Sequence, residues 1–598
     1  MKEYILAEHG LSTWHIIMPH PAHETIKLAA HELHHYIMRM SGASLPTQTE
    51  MQPAVGPEIL VGISDRLAHY NIDVDWSSLG EEGFVHKSGA EWLLLAGATP
   101  RATLYAVYAF LEEHLGCRWF ASDCEVIPRT DRLTCGHLDC VEKPAFESRE
   151  AYWTDAFNGE YAVRNRMNSN KADISIRQGG RMKFYNFHHS FSDLVSPKEY
   201  FDSHPEYFSQ VNGVRLRDHS QLCLTNPDVL ELSIAKVRQW IKENPDCRVF
   251  SVAQNDWHNY CTCPDCAAID EKEGSPAGTM LHFVNAIAEA LHPEYPHILL
   301  HTFAYQYTRK PPLYIKPHPN VIVRLCSIEC CFSHPLEGNI LAPLHPDAKQ
   351  AWKHAGDGQC AAEGEEGFLN DLHNWSKICK RLYVWDYVTA FQHYLLPFPN
   401  FDVLQNNMQF FHKIGVAGIL EQGNFSQGGG GHLAELQAYL QAKLMWNPYC
   451  DLEMQINDFL CGYYGEQAAP FIRSYIQLWQ EAARPWHVSI GANPQSPFIT
   501  DDVILQATKL LSEAKWRSHN TQHRNRIHKL ILSMNYIILS RMPVDTIGRE
   551  SFLERFGWEL REAGITEIHE RWTLHEALEN MKLEHHNKRR KVVNDYKM

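Results

Sequence analysis

The chain has 598 residues, 44% hydrophobic and 21% charged, a balance that excludes a disordered chain and, at this length, a single core. Its 55 Lys and Arg against 71 Asp and Glu give a net charge of -16, which argues against a nucleic-acid partner, since that needs a basic patch. No stretch reaches the roughly 18 apolar residues of a membrane span, and the N-terminus, Met1-Lys-Glu-Tyr-Ile-Leu-Ala-Glu-His9, lacks the apolar core of a signal peptide. With sixteen scattered cysteines read as reduced thiols, the expectation is a cytoplasmic protein with no membrane partner.

From Thr25 to Met40, apolar residues at Ile26, Ala30, Leu33, Ile37 and Met40 mark one face of a helix, which Ser41-Gly42 would stop. Ile59–Ile63, Gly83–His86 and Trp92–Gly97 are short enough to be strands, and Arg101 to Leu115 repeats the helical spacing. Residues 1–138 are therefore expected to form a small α/β domain without a Gly-rich phosphate loop. After Pro144, short apolar runs alternate with helical stretches: Phe146–Trp153, Val249–Ala253, Ile298–Phe303, Val321–Leu325, Leu382–Trp385 and Val416–Leu420, with a helix from Met280 to Leu291 among them. Arg164–Asn168 and His188-His189-Ser190 are expected at further strand ends. This βα alternation predicts an α/β fold, a (β/α)8 TIM-type barrel over residues 139–448. Gly428–Gly431 reads as a flexible loop. Beyond Pro448 the periodicity is helical at Leu452–Tyr464, Pro470–Ala482, Asp501–Trp516 and Arg524–Ile538, so residues 449–598 are expected to form a helical domain that packs on the barrel or makes a homodimer. The basic run Lys588–Lys591 reads as a solvated helix end.

Two early segments carry a resemblance. Ala29–Gly42 with Leu45-Pro46, and Ala96-Gly-Ala-Thr-Pro-Arg through Leu115-Gly-Cys-Arg-Trp-Phe120, resemble the N-terminal domain of family 67 α-glucuronidases and family 20 hexosaminidases, which is non-catalytic and leans on a (β/α)8 barrel. His204–Phe208, Gln221–Pro227, Asn255–Cys266, Trp385-Asp-Tyr387 with Pro397–Asn400, and Gly418–Gly423 followed by Tyr439–Trp446 resemble the domain of unknown function 4838 family. The resemblance implies a glycoside hydrolase, and an acidic sugar such as a uronic acid as part of its substrate.

Glycoside hydrolysis usually takes two carboxyl groups. Four acids sit at or just past expected strand ends: Asp256, Glu329, Asp386 and Glu421. Asp256, which follows Asn255, is the expected general acid, similar to the Asn-Glu pairs of many barrel glycosidases; its alternative is a loop cap. Glu421, Asp386 or Glu329 is the expected partner, unless each instead pairs with an Arg or a backbone amide. His189, Asn255, His301, Tyr305, Arg324, Trp385, Tyr387 and His393 are the candidate carbohydrate-binding residues: the Arg and His for carboxylate or hydroxyls, the aromatic rings for stacking on a pyranose.

Cys261-x-Cys263-x-x-Cys266, with Cys223 as a fourth thiol, is the spacing of a structural zinc site. A disulfide or unliganded packed thiols are the alternatives, and no cofactor for catalysis is expected. The reading is a glycosidase acting on an oligosaccharide or glycoconjugate. Its rival is a non-catalytic carbohydrate-binding or scaffold protein on a degenerate barrel.

Overall fold

The computed structural model of the protein describes residues 3–337, 345–348, 364–426 and 428–583; the basic run Lys588–Lys591 lies outside them. Among the described residues no helix is long and apolar enough to cross a membrane.

Near the N-terminus six strands form one mixed sheet, in the order Asp139–Glu142, Phe84–Ser88, Trp92–Gly97, Glu58–Val61, His15–Met18, Thr47–Thr49. The expected helices are present as Glu24–Ser41 and Pro100–Glu113. Each start is fixed by a cap: His23 accepts the Thr25 N–H, and Thr99 accepts the Ala102 N–H with Pro100 at the first position, where its missing N–H costs nothing. The first helix ends on Gly42, whose left-handed φ of 75° returns its N–H to the Met38 carbonyl. Apolar residues cover both sides of this sheet, Ile16, Ile59 and Leu95 toward the helices and Ile17, Leu60 and Leu94 away from them, which explains why Ile59–Val61 reads as an unbroken apolar run within the strand Glu58–Val61.

The centre of the molecule is a curled half-barrel of seven parallel strands, in the order Ser148–Tyr152, Gly418–Gln422, Leu382–Tyr387, Val321–Cys326, Leu299–Ala304, Val249–Ser251, Phe184–Tyr185. Strand alternation sorts their side chains. Val249, Leu299, Ile322, Tyr383 and Leu420 meet Phe184 in one interior cluster, to which Trp385 and Tyr152 belong at the edge. Val321, Val323, Leu382, Val384 and Ile419 join the outer core with Val284, Leu372 and Phe411 of the helical layer. Each such buried side chain contributes about 2 kcal/mol.

The curl brings the first and last strands toward each other. Between them runs the segment 166–170, which is bound on both sides mainly by side chains. Arg149 donates Nε–H to the Arg166 carbonyl at 2.9 Å and its backbone N–H to Asn168 Oδ1 at 3.0 Å. On the far side Met182 N–H reaches the Asn168 carbonyl at 3.0 Å, and Phe184 N–H reaches Asn170 Oδ1 at 2.9 Å.

Buried ion pairs join the N-terminal sheet to the strands. Glu82 lies between Arg101 (2.9 Å) and Arg149 (2.6 Å), and Glu112 between Arg166 (3.1 Å) and Lys443. Both Arg149 and Arg166 stack on the Trp446 ring, which also lies against Phe84. Deleting one partner of such a pair costs about 3–5 kcal/mol, because a charge is stranded.

The helices beyond residue 448 follow the expected pattern as Leu452–Tyr464, Ala469–Ala483, Asp501–Arg517 and Thr521–Arg541, with Arg549–Glu562 and Leu574–Leu583 after them. Between the last two, the chain turns back over the carboxyl ends of the parallel strands: Tyr394 N–H bonds to the Ile568 carbonyl and Glu570 N–H to the Phe391 carbonyl. Ile565 and Ile568 pack there with Leu395, Tyr536 and Phe556. The glycine run joins this contact. Gly428 and Gly430 have φ of 89° and 107°, and a Cβ on either would come within 2.6 Å of Thr566 or 2.5 Å of Ile565, so the run is a close backbone approach between two segments rather than a free loop.

Candidate active site at the carboxyl ends of the parallel strands

Asp256 stands just past the Val249–Ser251 strand with its side chain 51% exposed, open to a ligand. The Tyr305 hydroxyl donates to its Oδ1 at 3.1 Å and Gln306 Nε2 approaches the same oxygen at 3.4 Å, with His189 Nε2 4.0 Å away. Burial, reinforced by the Asp256 charge, holds the Tyr305 phenol well above its ordinary pKa of 10, so it remains a donor. The neighbouring Asn255 is turned the other way. Its Oδ1 accepts from Ser192 N–H and Oγ, its Nδ2 donates to the Ser220 carbonyl at 2.9 Å, and Gln221 clasps its backbone from both sides. Asn255 thus shapes the loop that presents Asp256.

Aromatic rings wall this mouth. Tyr152 lies parallel to Phe187 at 5.9 Å, Phe187 is 5.6 Å from Trp385, and Trp385 is 5.8 Å from Phe303, which in turn meets His189. Trp385 Nε1 donates to Gln422 Oε1 at 2.7 Å, and Gln422 Nε2 reaches Glu570 Oε1 at 3.5 Å. Glu570, half-buried, comes from the loop that folds back after Arg549–Glu562. Burial raises its pKa above the ordinary carboxyl value, the nearby Asp256 charge adds to the rise, and Arg571 opposes it.

Deeper in the half-barrel lie two expected ligand-binding residues. Arg324 is fully buried, 3.5 Å from Glu150 of the first strand and enclosed by the rings of Phe184, Phe187, Tyr383 and Trp385. His301, also fully buried, has Nδ1 2.9 Å from Ser251 Oγ; burial, with Arg324 beside it, pushes its pKa well down, so the ring is neutral. His301 Nε2 and Arg324 Nε and Nη1 have no hydrogen-bond partner among the described residues. Tyr387 is buried at the upper edge with Cys326, Tyr305, Glu329 and Asp256 around it. His393 points elsewhere, its Nδ1 2.5 Å from the Tyr536 hydroxyl of a C-terminal helix.

The other acids divide by strand face. Glu329 is held 3.2 Å from Arg309, which also grips Asp371 at 2.8 Å. Asp386 and Glu421 are register partners on adjacent strands. Because Tyr383, Trp385 and Leu420 point inward, alternation sends Asp386 and Glu421 to the outer face, away from Asp256. Asp386 is pushed up to about 6 by burial although the Ser327 hydroxyl donates to it at 2.5 Å. Glu421 is driven well above 4.5 by burial and by Asp386, and its Oε2 has no partner among the described residues.

All four cysteines of the expected cluster come together: Cys223, Cys261, Cys263 and Cys266 are buried, with every Sγ within 4.8 Å of the others. Cys261, Cys263 and Cys266 directly follow the Asp256 loop, and Cys223 comes from the segment that leads into the helix Pro227–Glu243.

Sequence reasoning missed Glu570, Gln422 and Gln306. Gln422 could have been found by parity, since it alternates with Leu420. Glu570 lies in a short irregular stretch between helices, Thr566-Glu-Ile-His-Glu-Arg-Trp572, which offers no strand end to mark it.

Two family descriptions match the chain: Domain of unknown function (DUF4838) over residues 119–477, and Glycosyl hydrolase family 67 N-terminus over residues 7–110. No curated protein matches. Among solved structures, a GH115 4-O-methyl-α-glucuronidase with specificity for decorated arabinogalactans superposes with a TM-score of 0.57 at 11% identity, covering 95% of this chain and 78% of that one. A GH138 enzyme targeting pectin rhamnogalacturonan II gives 0.44 at 10% identity, covering 96% of this chain and 78% of that one. At 11% identity the first of these likenesses is one of fold alone.

Proposed function

The chain belongs to the family described as Domain of unknown function (DUF4838), and from the chemistry of its mouth we propose that it is a glycoside hydrolase using Asp256 and Glu570 as its two carboxyl groups. The observation that supports this reading is the contrast between their surroundings. Asp256 is open to a ligand and is oriented by hydrogen bonds from Tyr305 and Gln306. Glu570 is half-buried beside that charge, which favours the protonated form. A carboxyl group whose surroundings favour its protonated form is suited to the acid role, and the open, oriented one is left to face the anomeric carbon or its water.

In this mechanism the sugar stacks against the aromatic wall with its glycosidic oxygen toward Glu570. Glu570 gives its proton to that oxygen as the bond to the anomeric carbon breaks, while Asp256 either attacks the carbon or takes a proton from the water that does. Gln422 holds Glu570 to the Trp385 edge, and Tyr305 fixes the Asp256 carboxylate. Asp256 thus moves from the acid role expected of it in the sequence to the base or nucleophile role. Glu421 and Asp386 become structural.

We read the seven strands, with the segment 166–170 in second place, as a (β/α)8 barrel over residues 139–448, flanked by the α/β domain 1–138 and the helical domain 449–598. An acidic sugar is the first substrate to test, because the structural neighbour with the 0.57 score is described as a glucuronidase, and Arg571, exposed beside Glu570, supplies a cation for a uronate.

The experiment is a screen of the full chain on aryl uronides, other aryl glycosides and plant and bacterial oligosaccharides, with Asp256→Asn and Glu570→Gln alongside. Sugar release by wild type, lost in both variants, is expected. Binding of an oligosaccharide without release, equal in all three proteins, would instead support the rival carbohydrate-binding role.

A further inference from the structure

The cysteine cluster beside Asp256 has a geometry that packed thiols do not need. Cys223 Sγ lies 3.7 Å from Cys263 Sγ and 4.0 Å from Cys266 Sγ. A disulfide requires about 2.05 Å between sulfurs, so neither pair is bonded. A tetrahedral zinc with Zn–S bonds of about 2.3 Å sets its sulfurs about 3.8 Å apart, close to both Cys223 separations, and all four sulfurs lie within 4.8 Å of one another. The four residues also form a buried cluster of their own, sulfur facing sulfur, instead of merging into the aliphatic core as small apolar residues would.

The surroundings are those of thiolates. Gln210 N–H points at Cys261 Sγ at 3.3 Å and Arg215 Nη1 at 3.7 Å; the Thr225 hydroxyl lies 3.2 Å from Cys266 Sγ and 3.7 Å from Cys223 Sγ. Cys263 caps helix Pro264–Glu273 and Cys266 sits in its first turn, where the positive end of the helix dipole favours negative charge. A tetrathiolate around Zn2+ carries a net double negative charge, and N–H and O–H donors with one guanidinium are what would balance it.

We propose that Cys223, Cys261, Cys263 and Cys266 bind one structural Zn2+, which clamps the 209–223 loops to the segment that follows Asp256. Binding converts four thiols to thiolates, releasing their protons to solvent, with no redox change. No coordination position is left for water or substrate, so the metal supports the fold and takes no part in a reaction. Contacts already present run parallel to this clamp: Gln221 Nε2 donates to the carbonyls of Asn255 and Trp257, and Thr262 Oγ1 to that of Gln210. The clamp does not depend on the chain being a glycosidase.

The test is elemental analysis of the full chain after purification without added metal. About one zinc per chain is expected, lost in Cys263→Ser and retained in Cys331→Ser. The second substitution is the control because Cys331, His334 and His487 form another group of close donors, in which His334 Nε2 is already 2.8 Å from the Arg484 carbonyl. If Cys263→Ser does not fold, titration of wild type with a mercurial reagent decides instead: zinc should be released in step with thiol consumption. Exchange with Co2+ should give thiolate charge-transfer and tetrahedral ligand-field bands. The metal-free protein, prepared with a chelator under reducing conditions, should be cut by protease between residues 209 and 266 faster than the zinc form. Iron in place of zinc, protein that purifies without metal and with all four thiols freely reactive, thiols recovered only after reduction, zinc that follows Cys331, or equal proteolysis of the two forms would each overturn the proposal.

Discussion

Two pairs of acids lie at the same end of the parallel strands and differ in nearly everything else. Asp386 and Glu421 are register neighbours, buried and facing outward; the Ser327 hydroxyl donates to Asp386, and Glu421 Oε2 has no partner among the described residues. Asp256 and Glu570 come from distant parts of the chain and face the mouth, Asp256 with donors that orient it and Glu570 with burial and a nearby charge that favour its protonated form. Position at a strand end is therefore a weak guide to chemistry. The face of the strand and the supply of donors decide whether a carboxyl group can meet a substrate or only share a proton with its neighbour.

The sharpest way to break this comparison is to neutralise each pair in turn. General acid or base groups contribute about 10²–10⁴-fold to rate. Asp256→Asn and Glu570→Gln should each lower kcat on an oligosaccharide by about 10³-fold, with Glu570→Gln relieved on a substrate whose leaving group needs no proton. Glu421→Gln and Asp386→Asn should keep kcat within about tenfold of wild type. A pH profile adds an independent readout. Because Glu570 must be protonated and its pKa is raised, kcat/KM should fall as pH rises through that raised value, and this alkaline limb should vanish in Glu570→Gln. The opposite ranking, with activity tracking Glu421, would return the chemistry to the outer pair.

How far this could be read beforehand follows strand by strand. Val321–Cys326 and Leu382–Tyr387 were legible because strands covered on both faces are mainly apolar, with one charged residue in each, Arg324 and Asp386. Phe184–Tyr185 was not, being two residues long, and the 166–170 segment was legible only as an expected strand end at Arg164–Asn168, because Asn168 and Asn170 bind through side-chain amides that carry no strand pattern. Asp256, His189, Tyr305 and Trp385 were visible as residues at strand ends. The outward turn of Asp386 was implicit in the aromatic alternation Tyr383, Trp385, Tyr387, but reading it requires knowing which face holds the interior. Glu570 was beyond reach: only tertiary packing of the C-terminal helices brings its loop over the strands.

The outer pair should show itself in stability rather than rate. Asp386 is held at about 6 against an ordinary 3.8, so the folded state binds its proton more tightly than the unfolded state does. Stability from this group is complete below about pH 4 and is lost as pH rises through about 6, which leaves a cost of roughly 3 kcal/mol at neutral pH. Asp386→Asn keeps an oxygen for the Ser327 hydroxyl and removes the charge. Denaturant unfolding at pH 7 should find the variant more stable by about 2 kcal/mol, and the gain should shrink toward zero near pH 4. A variant destabilised at pH 7 would mean that the Asp386 charge has a partner it needs.

The smallest effect tests the loop that makes the inner pair possible. Gly430 has φ of 107°, and a Cβ there would meet Ile565 Cγ2 at 2.5 Å, so Gly430→Ala must push the 564–572 segment outward or distort its own backbone, at about 1–2 kcal/mol. If that segment matters only as packing, the variant loses stability and keeps its kinetics. If it carries the acid, Glu570 shifts away from Gln422 and kcat falls about tenfold while KM changes little, since geometry at the reacting centre is more sensitive than binding. Adding Ile565→Ala frees the space and should recover part of the lost kcat despite removing a buried side chain, a gain in rate against a loss in stability that simple unfolding cannot produce.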